Sequence, residues 1–422
     1  MADIYQHAEV DTLHFLGPNA RLRDELRDYE GRIHVNIPSL YDELHTPAFQ
    51  GIIEQLPELD YLDKLVVVLN GLMINPDDPE GERIPTTQYQ FDEFRERLSG
   101  LPYETRVVWD NSDGMRDFLR SLEGKELSLG NGEPGKGKAV HLGNGYSLGT
   151  DANEIVHQDA DIITYSPEMI DRLAYASAIL NNDFAKAFYG RYKGKLYGRV
   201  CRDFVAPLIQ VLLEMEDVKK VPKAHAFLKY LEGFRYALSG ENAQSADYAM
   251  KEHIASDWAI EINQLADAYK LCGPHNICQV EIMEGPYDHK HQEICRDERN
   301  KGLHRMAREI SKSLLRNLVR KHRVVLTPSH YRTIREAFIE KAYGFIHRYE
   351  DDARINGLPF NMHEEKTMID TFSEALGEAE HEIYENLGVD PTLSSWGRIL
   401  SADSSAIDRL VDVVERDNRK AA

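Results

Sequence analysis

Asp159, Ala160 and Asp161 place two carboxylates one residue apart, directly after the apolar segment EIVHQ (154–158). Such a pair can hold a hard divalent cation, usually shared with a diphosphate, and the cation would neutralise a nucleoside diphosphate as it leaves a sugar. In a chain with 71 acidic residues an acidic triplet alone means little. Its position after a buried strand is what argues for a metal. A second group is Gly132-Glu133-Pro134-Gly135-Lys136-Gly137-Lys138. Glycines let backbone approach phosphate oxygens, and a lysine supplies the countercharge. The spacing is not GxxxxGK[ST] and no Ser or Thr follows the lysine, so an ATPase reading is weak. A flexible surface turn has the same composition; the short distance to Asp159 favours function.

A third group is the basic run Arg191, Lys193, Lys195, Arg199 and Arg202, five cations in twelve residues with no acid before Asp203. It suits an anionic acceptor, phosphate or carboxylate. A solvated basic loop is the commoner meaning of such a run. A fourth is Asp288-His289-Lys290-His291, after the alternating segment NICQVEIM (276–283). A histidine there could complete a metal shell or touch a diphosphate, although with 17 histidines one HxH carries little specificity.

The elements that must position these groups follow a repeating pattern. IHVNI (33–37), KLVVVL (64–69), TRVVW (105–109) and EIVHQ read as strands. AFQGIIEQL (48–56), QYQFDEFRERL (88–98), a Gly-weakened GKAVHLGNGYSLG (137–149) and SPEMIDRLAYA (166–176) read as helices. Residues 110–136, rich in Gly, Ser and Asn, read as a long loop. The first thirty residues read as a polar extension with one short surface helix, RLRDELRDYEG (21–31). Strand, loop and helix repeated four times imply a βαβ-type parallel sheet, whose ligands bind beyond the carboxyl ends of the strands. From about residue 297 the pattern is mostly helical. The expected organisation is an N-terminal extension (1–32), a nucleotide-sugar-binding half (33–180), an acceptor-binding half (181–320) and a helical C-terminal extension (321–422) supporting a homodimer.

Composition narrows the function. The 422 residues are 42% hydrophobic, enough for a sizeable core, and no apolar run approaches a membrane span. MADIYQHAEVDTLHF lacks the features of a secretory signal, and four cysteines without CxxC pairing fit a reducing cytosol, so a cytoplasmic location is expected. The net charge of −21 disfavours nucleic acid as a partner.

Taken in order, IPSLYDE (37–43), VVVLNG (66–71), PGKGKA (134–139), QDADI (158–162), GRVCRD (198–203), LSGEN (238–242), WAIE (258–261) and DHKHQ (288–292) resemble the retaining glucosyl-3-phosphoglycerate synthases and, equally, their mannosyl-3-phosphoglycerate relatives. The resemblance covers about residues 33–320. It implies an α/β fold, a glycosyltransferase A-type Rossmann-like mixed sheet. It also implies Mg²⁺ or Mn²⁺, a nucleoside-diphosphate hexose donor and 3-phosphoglycerate as acceptor, with the product leading to a compatible solute. By motif, Pro38, Ser39, Leu40 and Glu43 would line the nucleotide-base pocket and Asn70 would lie near the ribose. Lys136 would contact the donor. Asp161 would be the direct metal ligand, with Asp159 and Ala160 on the nucleotide side. Gly198, Arg199, Val200 and Cys201 would bind the acceptor, Arg199 gripping its phosphate or carboxylate. Glu261 would lie near the donor sugar, and His289 would bind the metal with His291 as the close alternative on the acceptor side.

Two other readings compete. A nucleotidyltransferase also combines a parallel sheet, a Gly/Lys loop and a metal-binding acid, but its loop normally follows the first strand, and PGKGK lies about a hundred residues beyond IHVNI. A binding protein that kept the fold without the chemistry would have no need of the intact acidic pair and lysine.

Overall fold

The computed structural model describes residues 4, 6, 9–78, 82–123, 125, 127–128, 135–289, 302–385 and 391–419. Among them are ten strands: β1 (Asp11–Leu13), β2 (Ile33–Ser39), β3 (Lys64–Leu69), β4 (Leu72–Met73), β5 (Ile84–Pro85), β6 (Glu104–Trp109), β7 (Glu154–His157), β8 (Phe184–Gly190), β9 (Asn242–Ser245) and β10 (Ile277–Pro286). Eight form one sheet in the order β1-β10-β8-β9-β7-β2-β3-β6; β4 and β5 make a small antiparallel ribbon. Every neighbouring pair in the sheet is parallel except those of β9, which runs antiparallel to both β7 and β8. The sheet is therefore mixed. Because β9 is reversed, the residues just before it arrive at the edge where its parallel neighbours end, which delivers LSGEN to the same rim as QDADI.

The four expected strands are present and parallel. All six residues of β3 are buried, as a strand covered on both faces requires. Its side chains alternate between two cores. Leu65, Val67 and Leu69 pack with the helices Pro47–Gln55, Gln88–Leu98 and Pro167–Ala178. Val66 and Val68 pack with Val108 of β6, with the helices Asp113–Glu123 and Lys136–Gly149, and with Trp396, Ile407 and Leu410. A third core surrounds the helices Ala206–Glu214, Pro222–Glu232, Ile260–Leu271 and Gly302–Arg316, covered by Pro328–Ile355 and Met362–Glu385. The C-terminal helices thus divide: two long ones close the third core, and the last two return to the first half of the chain.

Two expectations are corrected. The stretch 110–136 is not one long loop, because Asp113–Glu123 is a helix. Met115, Phe118 and Leu122 are spaced three and four apart and are buried on one face, a signal obscured by the surrounding small residues. The first thirty residues are not all polar surface. Asp11–Leu13 pairs with β10 and adds an edge strand to the sheet. The Gly-rich segment does form a helix, and one of its glycines explains its composition: a Cβ on Gly145 would overlap the Trp396 ring. No described helix is long and apolar enough to cross a membrane. The described cysteines, Cys201, Cys272 and Cys278, are free thiols.

Candidate functional site

β7 ends at His157, and the next four residues turn across the rim of the sheet. The Gln158 amide donates to the Asn36 carbonyl at 3.1 Å, so Asp159 and Asp161 are displayed from a fixed backbone. Lys136 is the first residue of the helix Lys136–Gly149. Its ammonium lies 2.8 Å from Asp159 and 3.4 Å from Glu261. Burial works against that charge, but Asp159 and Glu261 outweigh it and raise the Lys136 pKa well above the usual lysine value. The pocket around this cluster is lined by Pro38, His157, Gly240, Asn242, Glu261 and Gln264, among others. Gly240 lets the cluster close up: a Cβ there would push aside the Lys136 ammonium and the Asp159 carboxylate.

Asp161 faces His289, with Nδ1 at 3.6 Å from a carboxylate oxygen. The backbone brings them together. His289 bridges Ile162, the Ile163 amide donates to the Asp288 carbonyl at 2.9 Å, and the Asp288 amide donates to the Thr164 hydroxyl at 3.0 Å. Burial by itself would push the Asp161 carboxyl up; His289 and the Lys136 charge overcome it and hold Asp161 below the ordinary carboxylate range. A carboxylate and an imidazole at this separation suit a divalent cation with bonds of about 2.1 Å to each. Among the described residues no group of three or more His, Cys, Asp or Glu could hold a metal. Asp161 and His289 would supply two ligands to such a cation. His291, the alternative, lies outside the described residues, as do Gly132 to Pro134 of the glycine-lysine loop.

Beneath the pocket lies a buried polar layer that the sequence does not announce. His157 hydrogen-bonds with Asn242 at 3.0 Å and Asn144 at 2.8 Å, and burial depresses its pKa to about 4. The Asn144 amide donates to Glu252 at 2.8 Å; burial, aided by Asp267, pushes Glu252 up to about 8. Glu241 accepts from the Tyr189 and Tyr287 hydroxyls, each at 2.7 Å, and those two rings stack with centroids 3.7 Å apart. Tyr287 is two residues from His289, so this stack props the segment that carries His289. Lys186 on β8 is fully buried, and burial lowers its pKa to about 8. Of these residues only Glu241 and Asn242 fell within a recognised motif, LSGEN.

On the expected nucleotide side, Pro38 and Ser39 end β2, and Leu40 leads into a short turn of helix, Tyr41–His45, in which Glu43 is buried. Asn70 follows β3; its backbone amide donates to the Ser39 carbonyl at 2.9 Å, and its side-chain oxygen accepts from the Leu72 amide at 3.0 Å. These residues share the rim with the acidic pair. Asp110, at the end of β6, was not anticipated. It is almost wholly buried, and burial pushes its carboxyl up to about 6.

The basic run does not form one open patch. Arg191 donates to the Tyr236 hydroxyl at 2.9 Å, and Lys193 pairs with Asp288 at 2.5 Å, so its first part meets the segment that carries His289. Gly198 has φ +76°, which turns the chain into a wide, π-helical stretch, Val200–Val205. Arg199 and Arg202 then meet acids from the helix Met362–Glu385. Arg199 contacts Glu365 at 2.8 Å and Glu364 at 3.1 Å. Arg202 bridges Glu365 and Asp203, each at 2.7 Å. Burial and the adjacent Glu365 push the Asp203 carboxyl far above its ordinary range, whereas Glu365 itself, held by the two arginines against the effect of burial, stays below it. Val200 is buried beside them, and burial pushes the half-buried Cys201 thiol up to about 11. Neither Glu364 nor Glu365 was expected at this site.

No family model matches the chain. The chain is 34% identical over 426 residues, 99% of each chain, to a glucosyl-3-phosphoglycerate synthase of Persephonella marina. It is 30% identical to a glucosyl-3-phosphoglycerate synthase of Methanococcoides burtonii, over 90% of this chain and 89% of the relative. A crystal structure of glucosyl-3-phosphoglycerate synthase from Mycobacterium tuberculosis, in complex with Mn²⁺, UDP-glucose and phosphoglyceric acid, is 21% identical, with a TM-score of 0.49 over 76% of this chain and 90% of that one. With two such relatives each matched along almost its whole length, the chain belongs to the glucosyl-3-phosphoglycerate synthase family.

Proposed function

We propose that this chain transfers glucose from a nucleoside-diphosphate glucose to the hydroxyl of 3-phosphoglycerate, with a divalent cation and with retention of the anomeric configuration. The observation that carries the reading is one cluster at the carboxyl rim of the sheet: Lys136 between Asp159 and Glu261, beside the facing pair Asp161 and His289. The family of the chain fixes the reaction class, and the names of both curated relatives favour glucose over mannose.

Asp161 and His289 would hold Mg²⁺ or Mn²⁺. When bound, the cation supplies charge neutralisation at the departing diphosphate. Lys136 adds a second positive charge at a helix N-terminus, where the backbone also favours anions. Asp159 holds the Lys136 ammonium in place from the nucleotide side. Glu261 pairs with the same ammonium and positions the sugar. The acceptor hydroxyl attacks from the face the diphosphate leaves, and a diphosphate oxygen takes its proton, so the scheme needs no enzymic nucleophile. Pro38, Ser39, Leu40, Glu43 and Asn70 surround the nucleotide, and Gly198 to Cys201 surround the acceptor. In this division residues 33–180 serve the donor and 181–320 the acceptor, except that Glu261 and His289 reach back to the donor side.

The test is a panel of nucleoside-diphosphate glucoses and mannoses with 3-phosphoglycerate, assayed with and without EDTA. A glucosylated phosphoglycerate formed only without EDTA is the expected result. Nucleotidyl transfer, or turnover untouched by EDTA, would sink the reading.

A further inference from the structure

The guanidinium assigned to the acceptor is already occupied by acids from the far end of the chain. Glu365 accepts from Arg199 Nε at 3.0 Å and from Nη2 at 2.8 Å, both on one oxygen. Glu364 accepts from the same Nη2 at 3.1 Å. These acids are neighbours on the helix Met362–Glu385, but they are not equivalent. The Glu365 side chain is 4% exposed, and its second oxygen is taken by Arg202 at 2.7 Å. Removing it would leave two largely buried guanidinium groups without their shared counter-ion. The Glu364 side chain is 44% exposed, and its other oxygen accepts from the exposed Asn361 amide at 2.9 Å, its one such partner among the described residues. Releasing it into water breaks one solvent-screened ion pair, which costs little.

Resting on the acceptor assignment above, we propose that this helix sets the affinity of the acceptor site: Glu365 is a positioning residue that fixes the Arg199 guanidinium, and Glu364 is an internal anion that the acceptor displaces. An arginine grips a phosphate or carboxylate through two parallel N–H donors. Glu365 uses the Nε–Nη2 side. The Nη1–Nη2 end is the remaining two-donor edge, and Glu364 covers half of it. Once Glu364 swings away, an anion can seat on that end while Glu365 keeps the plane of the guanidinium fixed. In a chain of net charge −21 this arrangement has a use. An uncovered guanidinium would take any small anion, whereas a covered one favours a ligand with enough further contacts to repay the displacement, which is discrimination by competition.

The experiment compares Glu364→Gln, Glu365→Gln and Arg199→Ala in the full-length protein, by steady-state kinetics in both substrates and by calorimetric binding of 3-phosphoglycerate. Glu364→Gln is expected to lower the acceptor KM and Kd by about 2- to 5-fold, the range for releasing one exposed ion pair. The donor KM should move by less than about 2-fold. Glu365→Gln is expected to raise the acceptor KM by about 10-fold or more, with Glu365→Asp recovering part of the loss. If Glu365→Gln does not fold, Glu364→Gln decides alone, because its exposed side chain is not needed for packing. Acceptor constants unchanged in Glu364→Gln but raised in Arg199→Ala would overturn the proposal and leave the acceptor site standing. Acceptor constants unchanged in Arg199→Ala would overturn the acceptor assignment itself, and the proposal with it.

Discussion

The donor cluster and the acceptor cluster both pair a cation with two carboxylates, yet they are built differently. Lys136, Asp159 and Glu261 come from a helix start, a strand end and a helix start around one rim of the sheet. Arg199 comes from the start of a π-helical stretch and is countered by Glu364 and Glu365, about 165 residues on. The first cluster is held by the sheet that every member of the fold must form. The second is held by a helix added outside that sheet. A site placed on the scaffold can be rigid whatever else changes, whereas one fastened from an added helix can be tuned by that helix without disturbing the scaffold.

That contrast can be broken most directly at Asp161. Asp161→Ala should lower kcat by about 10²–10³-fold or more, the several kcal/mol that loss of a charge-stabilising ligand costs, with the melting temperature little changed. Near-normal turnover in this variant would remove the donor-side mechanism. Lys136→Ala comes next. It should weaken use of the nucleotide sugar by about 10²-fold in kcat/KM, whichever acceptor is supplied, since the charge it removes faces the diphosphate. An effect confined to the acceptor KM would put Lys136 on the wrong side of the comparison.

Arg199 sharpens it from the other side. A lysine cannot keep both two-donor edges, so Arg199→Lys should already raise the acceptor KM by about 10-fold, and Arg199→Ala should raise it more. Hydrolysis of the donor, if measurable, should be largely intact in both. Glycerate should be a poorer acceptor than phosphoglycerate for the native protein, and Arg199→Ala should narrow the gap. A native preference for glycerate or glycerol would move attention to Cys201.

The smallest expected effect lies under the donor cluster and is one of stability. Glu252 has a folded pKa of about 8, above its ordinary 4.5, because burial disfavours the charge. The folded chain keeps that proton while the unfolded chain releases it, so this group's contribution is fully present below about pH 4.5 and is lost as pH rises through about 8. Glu252→Gln, which cannot ionise, should escape that loss. Its melting temperature relative to the native protein should rise steadily between about pH 5 and about pH 8, by at most a few kcal/mol of stability. A difference that stays flat with pH would show that Glu252 is ionised in the folded protein.

What could be read beforehand follows the same divide. The acidic pair after EIVHQ and the glycine-lysine loop are local signals, a few residues long and anchored to strands whose apolar runs are unmistakable. Glu261 and His289 belong to the site only because distant segments meet at the rim, and periodicity says nothing about that; the family motif supplied Glu261, and it singled out His289 from an HxH that carries little specificity by itself. Strand β9 is four residues long and mostly polar, so its reversed direction, which brings Gly240 to Lys136, left no trace in hydrophobic pattern. Glu364 and Glu365 were the least legible. They sit in the first turn of an acidic amphipathic helix, where carboxylates are common for reasons of the helix dipole alone. His157, Asn144 and Glu252 were hidden for a different reason. His157 and Asn144 are single polar residues in an apolar strand and a Gly-rich helix, and Glu252 closes a short polar helix, so each looks like a surface position until the sheet shows both faces covered.

One feature of the core bears on how the protein is made. The face of β3 and β6 that carries Val66, Val68 and Val108 is closed by Trp396, Ile399, Leu410 and Val414. Trp396 also lies flat on His141, with ring centroids 4.8 Å apart, and donates to the His141 carbonyl at 2.9 Å. Glu415 ties down Arg106 and the Tyr146 hydroxyl. On the ribosome, the donor-binding half emerges first, and the helices Asp113–Glu123 and Lys136–Gly149 cover part of its valine-rich face, but the rest stays open until Trp396 to Val414 have been synthesised. Such contacts, distant in sequence, are slow to form and leave apolar surface open in the meantime. A ribosome stalled before residue 396 is therefore expected to display a sheet with all its strands made but one apolar flank only partly covered.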